Sequence, residues 1–199
     1  HHEFNNCWFA QTWWVDMGYD TINSPPPLKT KNLSVIDSGK VSIKGHQARI
    51  QTINKVLSKY PSEIDIYGKI TQNIQHHPSV KHELPHKDKI QGLIDYRYSL
   101  VIENGSTDYY FSEKLSDSIL CWTMPIYFGC KKLHKFLPQG SYVSIDINDP
   151  HIEDKIIEIT NSTYAEDNMD SLIEARKLIM GKYNIWPTIE MAINKERFI

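Results

Sequence analysis

Two regimes of apolar spacing alternate along the chain: short continuous apolar runs, and longer stretches with apolar residues at helical spacing. The runs Leu33–Asp37, Ile64–Tyr67, Tyr98–Glu103, Met124–Phe128 and Tyr142–Ile147 read as strands. Gly45–Tyr60 reads as an amphipathic helix with Ile50, Ile53, Val56 and Leu57 on one face, stopped by Pro61. A short helix is expected over Lys87–Tyr96, and Ser112 is placed to cap another from Glu113 to about Trp122. Two further helices, roughly 149–161 with Asp149 as its N-cap and 165–180, and a third after Pro187, close the chain. Residues 69–86 carry four histidines and two prolines without a clear period, and read as a loop.

Strands separated by helices argue for an α/β fold, a parallel sheet with helices on both faces. In such sheets ligands sit beyond the carboxyl ends of the strands. The loops after Asp37, Tyr67, Glu103 and Phe128 are therefore the places to look. Residues 1–32 form an aromatic- and proline-rich lead-in, expected to be irregular and to pack Trp8, Trp13 and Trp14 on the domain of residues 33–199; Pro25–Pro27 would be extended.

Composition changes this picture little. Of 199 residues 40% are hydrophobic, enough for a sizeable core, which excludes a mainly disordered chain. Basic residues number 22 against 24 acidic ones, so nothing points to a nucleic-acid binder; holding a single phosphate group needs only one or two local cations. The three cysteines, Cys7, Cys121 and Cys130, have no CxxC spacing and read as free thiols. No apolar run approaches the roughly 18 residues of a membrane span, and no secretory signal is visible. The start His1-His2-Glu3-Phe4 reads as a tag remnant ahead of a cut chain, so this says little about a longer parent.

His82-Glu83-Leu84-Pro85-His86 matches the HExxH zinc pattern by letter, but Pro85 would lie inside the helix that this chemistry requires, so the match reads as coincidence. His46, His76, His77, His134 and His151 lack ligand spacing and are expected on the solvated surface, as are Lys131, Lys132 and Lys135. No Walker loop, GxGxxG or GxSxG is present.

The informative segment is Tyr96–Gly129. A buried strand ends in Glu103-Asn104, and the loop then delivers Tyr109 and Tyr110 to a helix start carrying Glu113-Lys114. Free N–H groups at a helix start attract phosphate, and Lys114 adds a cation there. Glu113 could accept hydrogen bonds from two vicinal hydroxyls, and Tyr110 offers a ring to a base or a sugar. These parts suit a nucleotide sugar. A capping acid and a solvated lysine in the first turn are the plainer account of the same residues.

ENGSTDYYFSEKL followed by a helix and MPIYFG resembles the signature of the α1,3-fucosyltransferases, glycosyltransferase family ten. The upstream DKIQGLIDYRYSLVIEN and the helix with Gly45, His46 and Arg49 are also typical; Ile102 stands where Phe is common. The resemblance runs from about residue 29 to 147. It implies a Rossmann-like domain, the donor-binding C-terminal half of a two-domain GT-B enzyme that transfers fucose from GDP-fucose to a glycan acceptor with inversion. It also implies that no metal cofactor is required. Arg49 and Lys114 would contact the diphosphate and stabilise the leaving group, Glu113 would hold the ribose, and Asn104 and Tyr110 would line the donor pocket. The acceptor domain, or a partner chain, and the catalytic base would lie elsewhere. A non-catalytic nucleotide-sugar-binding module and a transferase for another GDP-sugar are the alternatives. Location would be cytoplasmic in a bacterial or viral source and the Golgi lumen in a eukaryotic one.

Overall fold

A computed structural model describes residues 17–69, 76–82, 84 and 88–194. Its centre is a six-stranded sheet built from β1 (Lys31–Asp37), β2 (Asp65–Gly68), β3 (Val80–His82), β4 (Tyr96–Ile102), β5 (Met124–Phe128) and β6 (Val143–Ser144). The order is β3-β2-β1-β4-β5-β6 and every pairing is parallel. The helices are α1 (Tyr19–Asn23), α2 (Lys44–Lys59), α3 (Glu113–Leu120), α4 (Ile152–Thr160), α5 (Tyr164–Asp167), α6 (Met169–Met180) and α7 (Ile185–Ile193).

From β1 the chain winds one way through α2 to β2; from β4 it winds the other way through α3 to β5. Right-handed crossovers in opposite directions put α2 and α3 on opposite faces of the sheet. Helix α4 packs beside α2, where Lys59 and Tyr60 both bond the Asp154 carboxylate, and α6 packs beside α3. The reversal falls between β1 and β4, and a crevice opens at their carboxyl ends. Both central strands are covered on both faces, so β4 reads as an apolar run with Leu100, Val101 and Ile102 all buried.

Five expectations needed correction. The loop expected over 69–86 contains β3, an edge strand of three residues (Val80–His82), too short to leave a period. The helix expected over Lys87–Tyr96 is a single 3-10 turn at Lys89–Gly92, because Tyr96 is drawn into β4. The helix expected at 165–180 is split at Asn168, whose side-chain amide bonds the Tyr164 carbonyl and closes α5 before α6 starts. Asp149 does not cap α4 directly: it accepts from the His151 N–H at 2.8 Å, in the turn before the helix. Pro187 lies within the first turn of α7, where no N–H donor is needed, so that helix begins ahead of it. Trp8, Trp13, Trp14 and Cys7 lie outside the described residues, as do Glu83, Pro85 and His86. His82 ends a strand rather than starting a helix.

The lead-in is fastened by Lys29, whose ammonium donates to the carbonyls of Ile94 (2.7 Å) and Cys121 (2.8 Å). Burial pulls its pKa down to about 8. Helix α3 ends with Trp122 in the left-handed region, φ 61°, its N–H and that of Thr123 closing on Ile119 and Ser118. Arg176 of α6 lies 3.8 Å over that indole and caps the Leu120 carbonyl. Cys121 and Cys130 are buried free thiols, raised to about 12 and about 11 by desolvation, and so inert as nucleophiles at neutral pH.

One glycine fixes how α2 meets the sheet. A Cβ at Gly45 would stand 1.9 Å from the Asn104 carbonyl oxygen, so the first turn of α2 lies against the backbone that follows β4. Gly45→Ala should therefore destabilise by about 1–3 kcal/mol, the cost of overpacking outweighing the roughly 1 kcal/mol gain in helix propensity. Gly105→Ala, with nothing near its Cβ, should stay within about 0.5 kcal/mol of wild type. Urea denaturation of the two variants checks this; equal midpoints would contradict the close approach.

Candidate functional site

Helix α2 buries His46, Arg49, Thr52, Ile53, Val56 and Leu57. Its apolar stripe thus continues towards the N-terminus as Arg49 and His46, one and two turns before Ile53. Those turns project past the sheet, where core gives way to crevice. Arg49 is 2% exposed and not a surface residue. Its Nε donates to Asp37 Oδ1 at 2.9 Å, Nη1 to the Ile102 carbonyl at 3.2 Å and Nη2 to Ser38 Oγ at 3.4 Å. One guanidinium thereby joins the ends of β1 and β4 to α2. Asp37 is 1% exposed and its Oδ2 has no partner among the described residues.

A second polar knot forms at the start of α3. Glu103, just past β4, is 2% exposed. It accepts from the Ser112 N–H at 2.7 Å, from the Ser112 hydroxyl at 2.6 Å and from Lys114 Nζ at 3.3 Å. Ser112 caps α3 as expected, accepting from the Lys114 N–H. Lys114 Nζ also lies 3.9 Å from Glu113, whose carboxylate is 3.8 Å from Lys89. Lys114 and Glu113 are thus held in place while remaining partly exposed.

Between the knots lies a cavity of about 750 Å³, walled by residues that include Asp37, Arg49, Asn104, Glu113 and Lys114. Of the residues singled out in the sequence, Arg49, Asn104, Glu113 and Lys114 come together there. Tyr110 is not part of the wall: it is 57% exposed, on the loop ahead of α3. Desolvation, then the charges of Glu103 and Glu113, raise its phenol. Its loop is pinned from below, with Lys131 and Lys132 N–H groups on the Thr107 and Asp108 carbonyls and Ser106 Oγ on the Gly129 carbonyl at 2.8 Å. Lys132 bonds Tyr109 Oη at 2.7 Å, so the basic cluster is partly structural rather than purely solvated.

The sequence missed several wall residues. Lys40 lines the cavity from the loop after β1, and Lys69 from the loop after β2. His46, expected on the surface, is 6% exposed and also lines it. The helical spacing from His46 through Arg49 to Ile53 was the signal for burial, obscured because neither residue is apolar. Among the described residues no group of three or more His, Cys, Asp or Glu could hold a metal ion. Chemically, the crevice offers convergent cations, a helix N-terminus and a partly exposed carboxylate, a setting for an anion bearing hydroxyl groups.

Residues 28–158 match the family model described as glycosyltransferase family 10 (fucosyltransferase) C-term. A GDP-fucose protein O-fucosyltransferase 3 of Danio rerio is 28% identical over 91 residues, 44% of this chain and 20% of that protein. An α1,3-fucosyltransferase crystallised with GDP superposes with a TM-score of 0.57 at 18% identity, covering 86% of this chain and 48% of that one. TarM superposes at 0.58 and 16% identity, covering 87% and 36%. At these identities the structures establish the fold, a Rossmann-like half of GT-B type. The chain spans less than half the length of each of these proteins.

Ser112→Ala removes one hydroxyl that serves both the cap and the buried Glu103 carboxylate. It should lower unfolding free energy by about 2 kcal/mol, from a lost cap and an under-bonded charge. Denaturant unfolding with an unchanged slope is the check; a loss below about 0.5 kcal/mol would mean that the knot does not hold α3 in place.

Proposed function

Because the chain belongs to glycosyltransferase family 10 (fucosyltransferase), as its C-terminal region, we propose that it is the donor half of an enzyme that moves fucose from GDP-fucose to a glycan acceptor with inversion. The observation that carries this reading is the convergence of Arg49, Lys114 and Lys40 on one cavity at the switch point of the sheet, beside the first turn of α2. Two negative charges on a diphosphate match that set. Glu113, steadied by Lys89 and Lys114, is placed to accept hydrogen bonds from the ribose hydroxyls. The exposed ring of Tyr110, on the loop ahead of α3, is assigned to the base, and Asn104 lines the cavity.

Transfer breaks the bond from the anomeric carbon to the β-phosphate oxygen while the acceptor hydroxyl attacks from the opposite side. Negative charge grows on the departing phosphate. Lys114 and Arg49 are fixed by Glu103 and Asp37 before the reaction, so they stabilise that charge without reorganising. The side-chain cations take the part that a divalent ion plays in metal-dependent transferases. The base that receives the acceptor proton, and the acceptor site, belong to the other half of the enzyme or to a partner chain. The coverage of less than half of the α1,3-fucosyltransferase and TarM chains supports that division.

GDP at 100 times its dissociation constant should add about 2.7 kcal/mol of stability, UDP far less, and EDTA should leave the GDP effect unchanged. Lys114→Met should weaken GDP binding by roughly 1–3 kcal/mol, the value of a charge-assisted hydrogen bond. Arg49→Lys should do the same, and should also cost stability because the fork that joins Asp37 to the Ile102 carbonyl is lost. Calorimetric titration and thermal melts measure both. Equal responses to GDP and UDP, or unchanged GDP affinity in both variants, would overturn the reading.

A further inference from the structure

His46 stands in the first turn of α2, nine-tenths buried, in the wall of the cavity. Its Nδ1 is buried and has no hydrogen-bond partner among the described residues. Four buried side-chain atoms are unpartnered in this way, and two of them, His46 Nδ1 and Asp37 Oδ2, belong to this one wall. Buried polar atoms are nearly always paired, and an exception that lines a cavity points to a ligand or a water as its partner.

The charges that face His46 come from every side. Arg49 lies one turn along the same helix, Lys40 and Asp37 belong to the loop and the end of β1, and Lys114 reaches in from α3. Burial acts first, then Arg49 and Lys40; together with Lys114 they outweigh Asp37 and hold the imidazole below its usual range. At neutral pH the ring is therefore uncharged, and the field of the neighbouring cations keeps the proton off.

A diphosphate placed among those cations reverses that field. Resting on the donor reading above, we propose that His46 is part of the diphosphate site and takes up one proton from solvent as a sugar nucleotide binds, its Nδ1–H then donating to a phosphate oxygen. The proton balance is complete in the binding step: one proton leaves the buffer, the ring becomes imidazolium, and the pair of phosphate charges is met by one more cation. Donor affinity is then linked to pH, strongest on the acid side of neutrality. Such a linkage changes the binding constant by at most tenfold per pH unit for one proton.

GDP-fucose is the probe, because its terminal phosphate carries the sugar and lacks the second ionisation near about 6 that would blur a titration with free GDP. Calorimetry between pH 6 and 8.5, in buffers of different ionisation enthalpy, counts the protons taken up and gives the affinity at each pH. The wild type should take up a substantial fraction of one proton near neutrality, and its affinity should fall several-fold as pH rises across the range. His46→Gln should bind more weakly at pH 6, with little pH dependence and no uptake; His46→Asn serves if circular dichroism shows the first variant unfolded. Binding of GDP-fucose by the wild type with no proton uptake, or uptake that persists in the folded variant, would overturn the role of His46 while leaving the donor reading intact. No binding of GDP or GDP-fucose at any pH would overturn the donor reading and this inference together.

Discussion

The buried Arg49 guanidinium, shared between Asp37 and the Ile102 carbonyl, is the contact on which the site depends. It ties the ends of the two strands that flank the switch point and anchors the helix that begins there. A buried ion pair is weak evidence for stability as such, since desolvation consumes much of the attraction. Removing one partner is another matter, at roughly 3–5 kcal/mol for the charge left behind. The pair therefore sets where α2 lies relative to β4, and Gly45 permits the close approach that results.

The same logic recurs one strand-end away. Glu103 is sunk beneath α3, satisfied by both donors of Ser112 and by Lys114. In each knot a buried carboxylate fixes a cation that lines the cavity. The wall thus presents positive charge that is already oriented by groups of the fold itself. Desolvation has been met within the fold rather than at the moment of binding, which is the condition for electrostatic stabilisation of a developing charge. Loop 104–110, pinned by Gly129–Lys132, extends this preorganisation to the segment that carries Asn104 and Tyr110.

Much of this was legible in the sequence, for reasons that differ by element. Met124–Phe128 was found with its observed bounds because a strand covered on both faces is an apolar run with clear ends. Ser112 was legible as a cap because a hydroxyl before an acid-led turn has few other uses. Strand β3 was not, since three residues at a sheet edge carry no period. Lys114 was singled out as a cation at a helix start and Arg49 through a resemblance, but their partners were not: pairing with Asp37 and Glu103 depends on how strand ends converge, which spacing alone does not reveal. His46 was assigned to the surface because burial was being read from apolar residues. Its helical phase with Arg49 and Ile53 carried the information, and only the structure shows why a polar residue occupies that phase. No helix among the described residues is long and apolar enough to cross a bilayer.

The central claim is that the crevice between β1 and β4 holds a nucleotide diphosphate. A crystal structure of the chain with GDP tests it most directly. The account places the diphosphate between the first turns of α2 and α3, within hydrogen-bonding distance of Arg49 and Lys114, with the ribose against Glu113. GDP seated elsewhere on the domain, with the Arg49 and Lys114 contacts to Asp37 and Glu103 unchanged and no phosphate between them, would contradict it.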